Sequence, residues 1–191
     1  MIGWLRRLAR ESIRGGERLL HTGRRRRALR ELAAPPAPRS VLIVCLGNIC
    51  RSPYAEHRLI DQLARAGLES VRVASAGFIL PGRPSPEPAR RVAARRGVDL
   101  GGHRSQVVTS AMARDAEVTL VMAPAQLRQL RQVTGAEPGG PAIVLGDLDP
   151  HPIDRRTIVD PYGRPDDVFE AVYERIDRCC ETLVDALACA E

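Results

Sequence analysis

Within "VLIVCLGNICRSP" (41–53), four apolar residues lead into Cys45, then Gly47, Asn48, Cys50, Arg51 and Ser52. A cysteine is a nucleophile as its thiolate, and an anion-binding concavity around it favours that form. Gly47 can adopt backbone angles closed to other residues and Asn48 tolerates the left-handed region, so together they can turn successive N–H groups inward as an anion nest. Arg51, six residues after Cys45, adds a permanently charged planar fork that can hold two oxygens of a phosphoryl group. Ser52 can donate a hydrogen bond to the sulfur. The chemistry implied is attack of a thiolate on phosphorus, which still needs a carboxylic acid to protonate the leaving group. The alternative for Cys45 is a buried structural thiol, since free cysteine is among the most buried residue types.

For that loop to work, a rigid element must hold Cys45 and a helix must follow Arg51. The run 40–45 is continuously apolar, as expected of a strand buried on both faces of a parallel sheet. Residues 53–67 place Ala55, Leu59, Ile60, Leu63 and Ala66 on one helical face, closed by Gly67. Further strands are expected at 70–77, 116–123 and 142–146, and helices at 87–97, 124–133 and 166–188. In this βα alternation, an open parallel sheet with helices on both faces, ligands sit beyond the carboxyl ends of the strands, where Cys45 lies.

All 29 basic residues are arginine, and the formal charge of +6 is unevenly placed. Residues 1–39 hold 11 Arg against 3 Glu, and the remaining 152 carry 18 Arg against 20 acids. Residues 1–34 read as amphipathic helix, with Ile2, Leu5, Leu8, Ala9 and Ile13 at helical spacing and Arg7, Arg10, Arg14 and Arg18 turned away. Gly15-Gly16 should interrupt it, and the prolines of 35–38 should end it. The expected organisation is therefore a basic extension and linker over 1–38 and one domain over 39–191. Cysteines at 45, 50, 179, 180 and 189 form no zinc pattern and no even disulfide framework, which fits a reduced, cytoplasmic setting. There is no apolar run of about 18 residues to span a membrane and no signal-like segment.

Cys45-x5-Arg51-Ser52 just after the first strand resembles the phosphate loop of the low-molecular-weight protein tyrosine phosphatases. Asp160-Pro161-Tyr162 before the last long helix matches that family's general-acid motif, and "SAG" (75–77) and "GVDLGGHRS" (97–105) fall in its order. The resemblance spans residues 40–189. It implies a three-layer α/β fold with four parallel strands in flavodoxin-like order, the phosphate loop after the first strand, and no metal or other cofactor. Phosphotyrosine would be hydrolysed through a phosphocysteine on Cys45, with Arg51 binding substrate and transition state and Asp160 as acid then base. Leu46, Gly47, Asn48, Ile49, Cys50 and Ser52 would form the binding loop, His103 would support it from behind, and Tyr162 would wall the cleft. Cys50 would pair reversibly with Cys45 on oxidation. The partner implied is a phosphotyrosine protein such as a bacterial tyrosine kinase.

Other readings remain open at this point. Cys50 could simply pack in the core, Asp160 could be a turn former, and Tyr162 could cap its loop. Cys179, Cys180 and Cys189 are expected to pack along the last helix. Arsenate reduction would need relay cysteines, and none stands between 50 and 179. Arginine phosphatases carry threonine where Ile49 stands. Family members acting on phosphotyrosine often have another aromatic after "SAG", whereas this chain reads Phe78-Ile79-Leu80-Pro81-Gly82, and Gly163 follows Tyr162. Residues 1–34 could instead be a basic module on an anionic membrane surface, which would place a cytoplasmic protein peripherally at the membrane. No specific nucleic acid is expected.

Overall fold

The structure, a computed structural model, describes the backbone of residues 2–135 and 137–190 and side chains from residue 16 onward. Helices and strands follow in the order α1 (Ile2–Leu32), β1 (Ser40–Cys45), α2 (Arg51–Arg65), β2 (Arg72–Gly77), α3 (Glu87–Arg95) and α4 (Ser110–Asp115). Then come β3 (Val118–Val121), α5 (Pro124–Thr134), β4 (Ala142–Val144), a 3-10 turn (Leu145–Leu148) and α6 (Asp166–Ala188). All strand pairs are parallel, in the order β2-β1-β3-β4. Cys45 is paired with Gly77 at the carboxyl end of the sheet.

β1 sorts its side chains by the two-residue period of a strand. Val41, Ile43 and Cys45 enter a large core with α2, α3 and α6, while Leu42 and Val44 enter a smaller one with Ala113, Ala116 and Leu130. Both faces of β1 are therefore dry, which explains its unbroken apolar sequence and fixes the height of Cys45. The fold is the three-layer, flavodoxin-like arrangement expected. The short α4 was missed because six residues carry too little periodicity. Its start is marked by Thr109, whose side chain accepts from the Met112 amide at 3.1 Å.

α2 and α6 are locked by a polar knot in an otherwise apolar layer. Tyr54 stacks on Tyr173 with centroids 3.7 Å apart, and its hydroxyl donates to Asp177 at 2.8 Å. Arg96 of the α3 C-terminus holds the same carboxylate at 2.6 Å, and the Arg58 guanidinium lies 2.9 Å from it. Burial pushes the Tyr54 phenol up to about 12.

The N-terminal segment differs from expectation. α1 runs unbroken through Gly15-Gly16, although two glycines cost a helix about 1 kcal/mol each. Packing supplies what propensity lacks: Ala28 and Leu32 join the large core, and Arg18 bonds Asp154 at 2.8 Å. His21 is buried, with Nε2 2.9 Å from the Asp149 carbonyl oxygen. The apolar positions Ile2, Leu5, Leu8, Ala9 and Ile13, with Arg7, Arg10 and Arg14, lie outside the residues whose side chains are described.

Tyr54→Phe should lower the unfolding free energy by about 1–3 kcal/mol, the cost of leaving Asp177 short of a donor, read from urea denaturation. The phenol's folded value lies above the ordinary value of about 10, so its share of stability is intact below that pH and drains as pH rises through about 12. The variant should lose stability less steeply over that window.

Candidate active site

The chain leaves β1 at Cys45 and enters α2 at Arg51, so the loop between must reverse direction within five residues. It does so at Asn48, whose φ of 49° is left-handed. This corrects the expectation for Gly47. Gly47 has no positive φ, and a Cβ there would meet nothing closer than the Ile49 side chain at 3.6 Å.

A non-glycine residue in that region is held by its surroundings. The Asn48 Nδ2 donates to Ser52 Oγ at 2.9 Å and Ser75 Oγ at 2.8 Å, and its Oδ1 accepts from the Gln106 amide at 3.0 Å. His103 Nε2 lies 2.6 Å from the Asn48 carbonyl oxygen. So held, Asn48 aims its backbone N–H at Cys45 Sγ, 3.2 Å away, while Ser52 Oγ donates to the same sulfur at 3.1 Å. The glycine that the loop requires by contact is Gly77, where a Cβ would stand 2.8 Å from the Asn48 nitrogen. Ser75, Gln106 and Glu56, which accepts from Ser75 at 2.6 Å, were not singled out from the sequence. Only the "SAG" tripeptide pointed towards them.

Arg51 is buried at the start of α2. Its Nη1 donates to the Ile158 carbonyl at 3.1 Å, its Nη2 donates to the Asp160 carboxylate, and its buried Nε has no partner among the described residues. Although Asp160 is 109 positions away in sequence, it stands directly on Arg51. The other Asp160 oxygen accepts from the Tyr162 amide at 3.2 Å, closing a tight turn that leaves the Tyr162 ring exposed. Cys45, Leu46, Ile49, Arg51, Asp160 and Tyr162 all line one cavity of about 230 Å³. Gly47, Cys50, Ile79 and Arg83 border it too, the last two unforeseen. Arg83 lies over the Tyr162 ring at 5.9 Å from its centroid.

Cys50 caps α2 and is buried, and burial, with Cys45 and Asp160 nearby, pushes its thiol up to about 12. It is thus a neutral thiol at neutral pH. Cys179 and Cys180 are buried in α6 with their thiols pushed above the ordinary range by burial, and Cys189 is exposed. Among the described residues, no three His, Cys, Asp or Glu side chains come together as a metal site.

One cavity thus unites the hydrogen-bonded Cys45 sulfur, the buried Arg51 guanidinium and the Asp160 carboxyl group. The model of the family described as low molecular weight phosphotyrosine protein phosphatase matches residues 40–190. The chain is 36% identical over 152 residues to the probable low molecular weight protein-tyrosine-phosphatase AmsI of Erwinia amylovora, covering 78% of this chain and 97% of that one. It is equally similar to Etp of Escherichia coli K12, a low molecular weight protein-tyrosine-phosphatase, covering 78% of this chain and 95% of that one. Among solved structures, the Escherichia coli K30 tyrosine phosphatase Wzb in complex with sulphate superposes with a TM-score of 0.67 at 34% identity, over 78% of this chain and 97% of that one. From the match of family model, relatives and fold, the chain belongs to the low molecular weight protein-tyrosine-phosphatase family.

Proposed function

We propose that residues 39–191 form a phosphatase domain that hydrolyses phosphotyrosine in proteins, with residues 1–38 an extension docked on it. The observation that carries this is the meeting of Cys45, Arg51 and Asp160 in one cavity. In the first step the Cys45 sulfur attacks phosphorus, the S–P bond forms and the bond to the tyrosyl oxygen breaks. Asp160 gives its proton to that leaving oxygen, while Arg51 and the loop amides hold the equatorial oxygens. In the second, the Asp160 carboxylate takes a proton from water, whose oxygen attacks phosphorus and releases the thiolate and inorganic phosphate. Asn48, Ser52 and His103 act by holding the loop, and Tyr162 offers a ring face to the substrate's aryl group.

Cys45→Ser should abolish aryl phosphate hydrolysis, and Arg51→Ala should reduce it at least about hundredfold. Asp160→Ala should lose about 10²-fold or more in kcat on phenyl phosphate, whose leaving group needs the proton, and much less on 4-nitrophenyl phosphate. Equal losses on the two would remove Asp160 as the acid.

The second loop cysteine gives the site a redox response. Peroxide converts the Cys45 thiolate to a sulfenic acid, and the Cys50 sulfur then attacks it, expelling water and forming a disulfide that a thiol can reduce. Because Cys50 is protonated at neutral pH, its attack should quicken as pH rises towards about 12. After enough peroxide to carry an unpaired sulfenic acid on to the thiol-resistant sulfinic acid, wild type should regain activity with dithiothreitol and Cys50→Ser should not; equal recovery would exclude the pairing.

For location and partners, a tyrosine-phosphorylated protein is the substrate class, with a bacterial tyrosine kinase the family's precedent. No described helix is long and apolar enough to cross a membrane. α1 nevertheless leaves Leu19 and Leu20 exposed beside an arginine-rich sequence, which suits lying on an anionic membrane surface. Full-length protein should sediment with phosphatidylglycerol vesicles at low salt, and Leu19→Glu/Leu20→Glu should reduce the bound fraction severalfold. Absence of wild-type binding, or unchanged binding by the variant, would end that reading.

A further inference from the structure

Between Gly77 and α3 the chain crosses the cavity mouth in a tightly held turn. Leu80 has a φ of 50° and Gly82 of 79°, both left-handed. Leucine in that region requires compensation from its surroundings. The buried Ser105 supplies it with four bonds. Its Oγ donates to the Leu80 carbonyl at 2.8 Å and accepts from the Arg83 amide at 2.9 Å. Its backbone accepts from the Gly82 amide at 2.7 Å and donates to the Arg83 carbonyl at 2.8 Å. What this framework holds in place is Arg83.

The Arg83 side chain spans from that turn to the two parts of the active site. A Cβ built on Gly47 would stand 3.9 Å from its Nη1, and its guanidinium lies over the Tyr162 ring at 5.9 Å from the centroid. It borders the same cavity as Cys45 and is half-buried. Arg58, Arg95, Arg96, Arg156 and Arg175 each lie against a carboxylate. The Arg83 guanidinium has no hydrogen bond or ion pair among the described residues; its partner there is the Tyr162 ring. A half-buried cation without a counter-ion is ready to take an anion from outside.

We propose that Arg83 is a specificity-determining residue, forming a second anion subsite at the cavity mouth that binds an acidic side chain flanking the phosphotyrosine. This rests on the phosphatase reading above. The phosphoryl group is held at the cavity base by Arg51 and the loop amides. A phosphotyrosine in a protein must also bring its neighbouring residues across the rim. Arg83 occupies one face of the Tyr162 ring and leaves the other for the substrate's aryl group, so the peptide passes beside the guanidinium. An aspartate or glutamate next to the phosphotyrosine then meets an arginine already positioned by Ser105, and a lysine there meets repulsion. Such selection also supplies recognition in a cleft without a further aromatic wall near "SAG".

The test measures kcat/KM for two phosphotyrosine peptides that differ only in flanking residues, glutamates in one and alanines in the other. The wild type should favour the acidic peptide about three- to tenfold at low ionic strength, with the ratio falling as salt is added. Arg83→Ala should bring the ratio to about one, Arg83→Glu below one, and Arg83→Lys should keep most of the preference. A wild-type ratio near one, or the same ratio in wild type and Arg83→Ala, would overturn the proposal. Failure of wild type to hydrolyse either peptide would instead remove the phosphatase reading, and this proposal with it.

Discussion

The active site depends on one residue being held where its backbone would not otherwise rest. Asn48 sits at a φ of 49°, and that turn is what points an N–H at the Cys45 sulfur. Asparagine is among the few residues that enter this region readily, but its side chain also ties the loop to the start of α2 through Ser52 and to β2 through Ser75. With Gln106 and His103 closing the back, both backbone and side-chain groups of Asn48 are satisfied inside the protein. A buried, fully bonded polar network of this kind specifies one conformation. The closeness of Gly77 to the loop belongs to the same constraint, since a larger residue there would press on the Asn48 nitrogen.

The other half of the site arrives from far along the chain and is pinned by different forces. The segment between β4 and α6 carries no long helix or strand, yet Asp160 must end within reach of Arg51. Arg175 of α6 bonds Asp149 at 2.9 Å and donates to the carbonyls of Arg155 and Thr157, so one guanidinium gathers the segment. The Ile158 amide donates to Met122 at the end of β3, and its carbonyl accepts from Arg51. α1 braces the outer side through His21 and Arg18. Charge pairs work here alongside apolar burial, for Leu145, Leu148 and Ile158 of the same segment join the large core. The buried Asp149 is acceptable only because Arg175 and Arg178 both face it.

Much of this was legible from the residues. The apolar run 40–45 gave the central strand to the residue, because burial on both faces leaves no polar position to blur the pattern. Cys45, Arg51 and Ser52 could be paired with each other by spacing alone, since they share a loop and a helix start. Asp160 could be joined to them only through the family resemblance, because no local pattern reports a contact across 109 positions. Asn48 could be marked as a residue able to turn the loop, but that it alone and not Gly47 takes the unusual angle depends on Ser52, Ser75 and Gln106, brought together only by folding. The continuity of α1 through two glycines was hidden for the same reason, as tertiary packing outweighs local propensity. Arg83 was invisible among 29 arginines until its place in the active-site cavity, over the Tyr162 ring, could be seen.

The central claim is that the sulfur of Cys45 carries the phosphoryl group during turnover. Rapid acid quenching of the enzyme during hydrolysis of an aryl phosphate, followed by mass spectrometry of the peptide containing Cys45, tests it directly. The account predicts a phosphorylated Cys45 that appears within the first turnover and disappears when substrate is exhausted. An unmodified Cys45 throughout turnover, or phosphate on another residue, would contradict it.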